Sequence, residues 1–297
     1  MKKVKYILFS SSLLLFSGVI FAQQESITTI YKDQMNIVNP AFAGLDKETN
    51  VSVGFRKQWV GITNAPETQT LVFGTSVGKN LGIGVSAVND KTFIEKQTNF
   101  GIDFSYKLKV APELDMYLGL KAGGNFYEVN TSGLGTFNTV SDPALVSYSS
   151  FKPNFGVGAV LRNEKYFFSL SVPRILNTVR SRNEDAQNYV ATNRPHLYVS
   201  GGYDYDLDNA SEMILKPSFL MRFVDGAPAS IDYNLGLSFF KTFEVGAMYR
   251  SSDAIGGIAK INISKRLLFG YAYEATTRSD MANRLNTHEF LLKYKFK

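Results

Sequence analysis

The sequence predicts an all-β chain: a transmembrane antiparallel outer-membrane β-barrel of about fourteen strands. Three observations carry that reading. Apolar and polar residues alternate with a period of two along most of the chain. The connections between alternating segments are by turns short and long. Beyond the first residues, no run reaches the roughly 18 consecutive apolar residues that a membrane-spanning helix needs.

The composition agrees. Of 297 residues, 23 are Phe, 16 are Tyr and 24 are Gly, a bias towards strands and tight turns. No cysteine is present, which excludes disulfides, Cys-ligated zinc and thiol nucleophiles together. The formal net charge is +6, but Lys2, Lys3 and Lys5 supply three of these charges and fall in a leader, leaving +3 without it. The remaining charges are of both signs and thinly spread, so no nucleic-acid footprint is expected.

The first element is that leader. Residues 1–22, "MKKVKYILFSSSLLLFSGVIFA", have a basic start, an apolar stretch and a small residue before polar sequence. This is the form of a secretory signal, with cleavage after Ala22. Residues 23–48 precede the first alternating segment and read as a plug or a periplasmic arm. Residues 49–297 form the barrel.

The strands are expected at 49–57, 68–76, 81–89, 98–108, 114–127, 151–161, 166–173, 195–205, 212–224, 230–240, 242–250, 255–264, 267–275 and 287–296. The pattern is clear in the third, where Leu81, Ile83, Val85 and Ala87 share one face and Gly82, Gly84 and Ser86 the other. In the tenth, Ile231, Tyr233, Leu235 and Leu237 alternate with Asp232, Asn234, Gly236 and Ser238. The last strand sets Phe290, Leu292, Tyr294 and Phe296 against Leu291, Lys293 and Lys295.

"VGKN" (77–80), "KVAPE" (109–113), "RNEK" (162–165), "FKT" (240–242) and "KR" (265–266) are short connections. The long ones are 128–150, 174–194 and 276–286. An outer-membrane barrel sorts its connections this way, with short periplasmic turns and longer outer loops. The polar face carries Gly, Asn, Asp, Lys and Arg together, as a wet lumen requires. The apolar face ends repeatedly in Phe or Tyr, as an aromatic girdle does. The apolar face is therefore assigned to lipid, where closure of the sheet satisfies every backbone group.

Motifs for catalysis are weak. His196 and His288 are the two histidines and lack the spacing of a metal pair. "GTSVGKN" (74–80) has three residues between its glycines, not four, and Asn80 where a phosphate loop needs Ser or Thr. "DLDNASE" (206–212) lacks the glycine of a calcium loop. The chain is read as non-enzymatic, with no cofactor and no metal. Arg56, Asp103, Lys121, Arg222, Asp232, Glu244 and Arg250 fall on the polar face and are assigned to the lumen. They form either a selectivity constriction or a set of ion pairs that fills the barrel. The mixture of signs favours ion pairs.

Two stretches extend the reading. "YKDQMNIVNPAFAG" (31–44), followed closely by "RKQWVGITNAPETQTLVFGTSVGKNLGIGVSAVND" (56–90), resembles the PorP/SprF family of type IX secretion membrane proteins of Bacteroidota. The matching positions are Tyr31; Asn39, Pro40, Ala41 and Gly44; Gln58, Trp59, Val60 and Gly61; and Ala65, Pro66, Thr68 and Gln69. "LGLKAGGNFYEVN", "KPSFL", "GAPASIDYN", "VGAMYR" and "HEFLLKYKF" continue the likeness to the end of the chain, and Glu274 stands where the family has Asp.

The resemblance implies a barrel in the outer membrane of a Gram-negative bacterium, in contact with its lipid and serving type IX secretion. It implies two kinds of partner. One is the machinery, meaning periplasmic ring proteins and a peptidoglycan-binding partner. The other is a secreted adhesin, often of gliding motility, recognised through its C-terminal sorting domain. A passive porin-like channel is the alternative reading. The long loops 128–150 and 174–194 are the expected partner surface. Trp59, the single tryptophan, has two readings. It is either a girdle residue at the headgroups or an apolar anchor folded inward at the outer mouth, and Gly61 and the Ala65–Pro66 pair favour the second.

Overall fold

A computed structural model describes residues 27–46, 48–132, 147–184, 187–208, 212–251, 254–277 and 286–296, with the backbone alone for 178–193. The signal-peptide reading, its cleavage point after Ala22 and the centres of loops 128–150 and 276–286 lie outside the described residues.

Two short 3₁₀ helices open the described chain, η1 (Tyr31–Ile37) and η2 (Pro40–Phe42). Strands follow: β1 (Asn50–Lys57), β2 (Glu67–Val77), β3 (Leu81–Thr92), β4 (Glu95–Ala111), β5 (Leu114–Val129), β6 (Tyr148–Arg162) and β7 (Tyr166–Val172). After them come β8 (Thr178–Glu184), β9 (Gln187–Asn193), β10 (His196–Tyr203), β11 (Tyr205–Asp208), β12 (Met213–Val224) and β13 (Ser230–Phe239). The last four are β14 (Phe243–Arg250), β15 (Ala254–Asn262), β16 (Leu267–Thr276) and β17 (Asn286–Lys295).

β8 and β9 pair only with each other. β10 and β11 are one barrel strand interrupted at Asp204, and both pair with β12. The other strands follow chain order, and the sheet closes where β1 pairs with β17 along its whole length. The result is a closed antiparallel barrel of fourteen strands, as the sequence predicts, and each expected segment coincides with one of them. The sequence reading missed the β8–β9 ribbon, which lies inside the expected loop 174–194. It also ended β3 and began β4 too early and too late. These strands meet across Phe93 and Ile94, so one connection on the long-loop side is as short as any turn. Among the described residues no helix is long and apolar enough to cross a membrane.

The faces are inverted relative to a soluble barrel. Ser52, Asp103, Ser200 and Asp232 are buried, whereas their neighbours Val53, Ile102, Phe104 and Tyr233 stand outside. Leu120 is 63% exposed and Asp103, on the adjoining strand, 0%. An aliphatic and aromatic outer surface of this extent, with backbone groups paired around a closed sheet, is the form that lipid requires. Both ends of the barrel chain, at Asn50 and Lys295, lie on the side of the short turns 78–80, 112–113, 163–165 and 240–242.

Candidate functional site: the filled lumen

The inner face of the barrel is occupied by the chain's own residues 27–45, the inner segment. Ile30, Tyr31, Met35, Val38, Asn39, Ala41, Ala43 and Leu45 in it are all buried. Asn39 caps η2, its Oδ1 accepting from the Ala41 amide at 2.9 Å, and Pro40 supplies the first helical position with a preset φ. The same Asn39 side chain donates to the carbonyls of Ala159 and Leu170, at 3.2 and 3.4 Å, on β6 and β7. Side chains of the wall reach the segment's backbone. Ser105 donates to the Ala43 carbonyl at 2.6 Å, Ser171 to that of Val38 at 2.6 Å, and Lys121 to that of Asn36 at 2.9 Å.

Glycines bring the backbones together here. An added Cβ on Gly82 would stand 2.0 Å from the Ala43 carbonyl oxygen, and one on Gly119 would stand 2.1 Å from the Ala41 nitrogen. Gly44 has a φ of +65° and packs against Thr75 and Gly82. Apolar inward residues complete the fit. Tyr198 and Leu220 pack with Ile27, Tyr31, Met35 and Val38, and Tyr117 and Val160 pack with Ala41 and Leu45.

Charge gathers in three places. In the first, Arg56 pairs with Glu274 at 2.7 Å and with Glu289, and Arg250 forms a two-point pair with Asp232 at 2.8 and 3.0 Å. Arg250 also reaches Glu274 at 3.4 Å, and Arg222 lies 3.8 Å from Asp232. The inner segment enters this network directly. The Thr29 amide donates to both oxygens of Glu289, at 2.8 and 2.7 Å, and its hydroxyl to Glu274. The Ile30 amide also reaches Glu289, at 3.2 Å. In the second place, Lys121 pairs with Asp103 at 3.2 Å and donates to Ser86. In the third, Glu244 bridges Lys216 and Lys260, at 3.0 and 2.9 Å, and Lys260 continues to Asp33 of the inner segment at 2.7 Å. Burial would raise the Asp33 carboxyl, but Lys260 and Lys293 outweigh it and hold it at about 2.

The residues assigned to the lumen from sequence thus all lie on the inner face. The structure joins Arg56, Arg222, Asp232 and Arg250 into one network and leaves the Asp103–Lys121 pair and Glu244 as separate centres. Sequence reasoning missed Thr29, Gln34, Asp33, Glu274 and Glu289 as contributors. Glu289 was accessible by phase, since it shares the alternation of Leu291 and Lys293. Gln34 binds Ser52 and Thr70 through side chains alone, and no pattern in the sequence announces that.

The motif positions divide between two places. Tyr31, whose hydroxyl accepts from Asn234 at 3.2 Å, lies in the lumen with Asn39, Pro40, Ala41 and Gly44. Gln58, Trp59, Val60, Gly61, Ala65 and Pro66 form the β1–β2 connection at the opposite end from the short turns. The Gln58 amide donates to the Pro66 carbonyl at 2.9 Å and the Val60 amide to that of Asn286 at 3.1 Å. Trp59 is half-buried there, with a φ of +50°. Thr68, on β2, is buried and donates to Asp90 at 2.6 Å, whereas Gln69 faces outward. Among the described residues no group of histidine and acidic side chains is placed to hold a metal ion. His196 and His288 lie on β10 and β17, beside Tyr198 and Tyr271.

Comparison with known proteins bears on this arrangement. A family model described as "Type IX secretion system membrane protein PorP/SprF" matches residues 20–294. No curated protein gives a significant sequence match. Among solved structures, the fold is similar to the outer membrane protein Omp33 of Acinetobacter baumannii, with a TM-score of 0.52 at 12% identity, covering 85% of this chain and all of that one. It is also similar to the CymD monoaromatic hydrocarbon channel, with a TM-score of 0.50 at 11% identity, covering 89% and 92%. At that identity the likeness is one of fold alone.

Proposed function

The chain belongs to the PorP/SprF family of type IX secretion system membrane proteins, and from that premise we propose that it is a non-enzymatic outer-membrane barrel that supports export or surface anchoring of a secreted protein. A large adhesin of the gliding-motility type, held through its C-terminal sorting domain, is the cargo that fits best. Family membership implies association with type IX secretion components. The proposed ones are the periplasmic ring proteins and a peptidoglycan-binding partner.

The observation that most favours a holder over a passive porin-like channel is the buried inner segment. Tyr31, Met35, Asn39 and Ala41 of that segment are all buried inside the barrel, so the chain itself occupies lumen space that an open channel would leave to water. The functional surface then falls on the barrel's two ends. Isolation of the tagged protein from native outer membrane, with identification of what accompanies it, tests this reading. A secreted protein with a type IX sorting domain should be recovered together with machinery components. Recovery of neither, with large steady conductance in planar bilayers, would favour the porin-like channel instead.

A further inference from the structure

One stretch of the barrel wall has a neighbour on one side only. β6 has 15 residues and β7 has 7, and the two meet at the short turn 163–165. The excess of β6 therefore stands at the outer end. Its pairing with β7 stops at Val157 and Val172, whereas its pairing with β5 continues to Tyr148 and Val129. The chain that follows β7 covers only the nearest part of the open edge. There the Ile175 amide donates to the Phe155 carbonyl at 2.8 Å, and Asn154 exchanges bonds with the Leu176 backbone at 2.9 and 3.0 Å. Residues 148–153 have no strand beside them on that side among the described residues, since β8 and β9 pair with each other.

Alternation fixes which groups are left open. Phe155 bonds towards the β7 side, so Pro153, Phe151 and Ser149, in the same phase, present their backbone there too. Pro153 has no amide to offer, as suits an edge position. The amides of Ser149 and Phe151 and the carbonyls of all three have no partner among the described residues. Open backbone groups are not tolerated in hydrocarbon, so this edge belongs above the lipid, at the cell surface. It begins where loop 128–150 ends and faces the start of loop 174–194.

The two faces beside the edge differ. On the outside, Phe151 packs with Phe126 and Phe100, with ring centroids 4.7 and 6.1 Å away, and Phe126 and Phe151 remain about half exposed. On the inside, Lys152 is exposed and makes no hydrogen bond or ion pair among the described residues.

We propose that the edge of β6 at 148–153 takes up an extended segment of the secreted partner as an added strand, with apolar side chains on the Phe151 face and acidic ones on the Lys152 face. A second copy of this chain does not fit. Two barrels in one membrane keep the same direction and their strands lean, so two β6 edges would cross instead of running side by side. The proposal rests on the reading of the barrel as a holder of a secreted protein, and adds where and how that protein is held.

A photoreactive benzoylphenylalanine in place of Phe151 tests this in the full chain in native outer membrane. Tyr249 is the control position: it is also exposed on the outer face, but its strand, β14, is paired on both sides. The probe at 151 should cross-link a secreted protein that carries a sorting domain, and the probe at 249 should not. Ser149→Pro removes one edge-facing amide, leaves the β5 ladder whole, and should cut the yield at 151 by about fivefold or more. Lys152→Glu should cut it by about threefold, and Lys152→Arg should leave it unchanged. The heat-dependent shift of the barrel on a denaturing gel reports folding, and the Lys152 variants carry the test if Ser149→Pro does not fold. A product at 151 internal to the chain, equal yields at 151 and 249, or a yield untouched by the variants would overturn the added strand. Co-purification of the secreted protein with the tagged parent, from the same membranes, separates the two readings. Recovery without a product at 151 overturns the edge alone, and recovery of neither overturns the holder reading and the edge with it.

Discussion

Arg56 and Glu274 meet at 2.7 Å although they are not neighbours in the sheet: β17 runs between their strands. Glu289, on β17 itself, takes the other side of the same guanidinium. One planar fork thus ties together β1, β17 and β16, the strands that flank the closure of the barrel.

Removing that fork should be costly. Arg56→Leu leaves two carboxylates buried without their shared cation, and the expected loss is about 3–5 kcal/mol. It should appear as a lower temperature for the loss of the compact barrel band on a denaturing gel. Arg56→Lys should recover little of this, because a single ammonium does not span both carboxylates. Full recovery by lysine would show that charge alone, not geometry, holds the closure.

The glycine slots give a second expectation. Gly119→Ala places a methyl group against the Ala41 backbone and should destabilise by about 1–3 kcal/mol. Gly257→Ala meets nothing closer than 4.0 Å and should stay within about 0.5 kcal/mol of the parent. Unfolding followed by urea titration in the same lipid compares the two directly. Equal effects would mean that the inner segment is not packed as described.

Acid should loosen the inner segment through Asp33. Its carboxyl is held at about 2, below its ordinary 3.8, so its ionised form is favoured in the folded state. The contribution, about 2 kcal/mol, is fully present above the ordinary value and is lost as pH falls through the folded one. Asp33→Asn should lower stability at neutral pH and flatten the fall between 3.8 and about 2. Parallel acid curves for the two proteins would remove the Asp33–Lys260 pair as the cause.

The turn between β13 and β14 carries avoidable strain. Phe240 and Lys241 both have φ of +51°, and the Thr242 amide donates to the Phe239 carbonyl at 2.9 Å, a type I′ geometry that favours Asn-Gly. Lys241→Gly should stabilise by about 1 kcal/mol. The ion pair it loses, to Glu212, joins exposed side chains and is worth little. A rise in the urea midpoint checks this, and a fall would show that the exposed pair matters more than the backbone.

What the sequence reveals here is set by periodicity. A strand between lipid and a wet lumen must alternate, so Leu81 to Ala87 and Ile231 to Phe239 declare both their structure and their faces. The β8–β9 ribbon pairs only with itself, stands outside the barrel sheet, and reads as loop in the sequence. The inner segment was harder still. Its two short helices have no amphipathic period, and their partners are spread over the whole wall. Asn39, Pro40 and Gly44 were singled out by motif, but the glycines that receive them, Gly82, Gly119 and Gly158, look in sequence like ordinary small residues of the polar face. Inward charges could be assigned by phase, whereas their grouping around Thr29 depends on three-dimensional closure.

The bonds from Thr29 to Glu289 join residues 260 positions apart. A contact of such high order exists only when the chain is complete and its last strand has found its first. Until then Arg56 has no carboxylates to bridge, and Thr29 has no acceptor for its amide. The end of the enclosed segment around Thr29 therefore gains its bonds only when the sheet closes. A chain truncated before β17 should be vulnerable at both ends at once, and proteolysis of such an intermediate should begin at the segment that the finished barrel protects best.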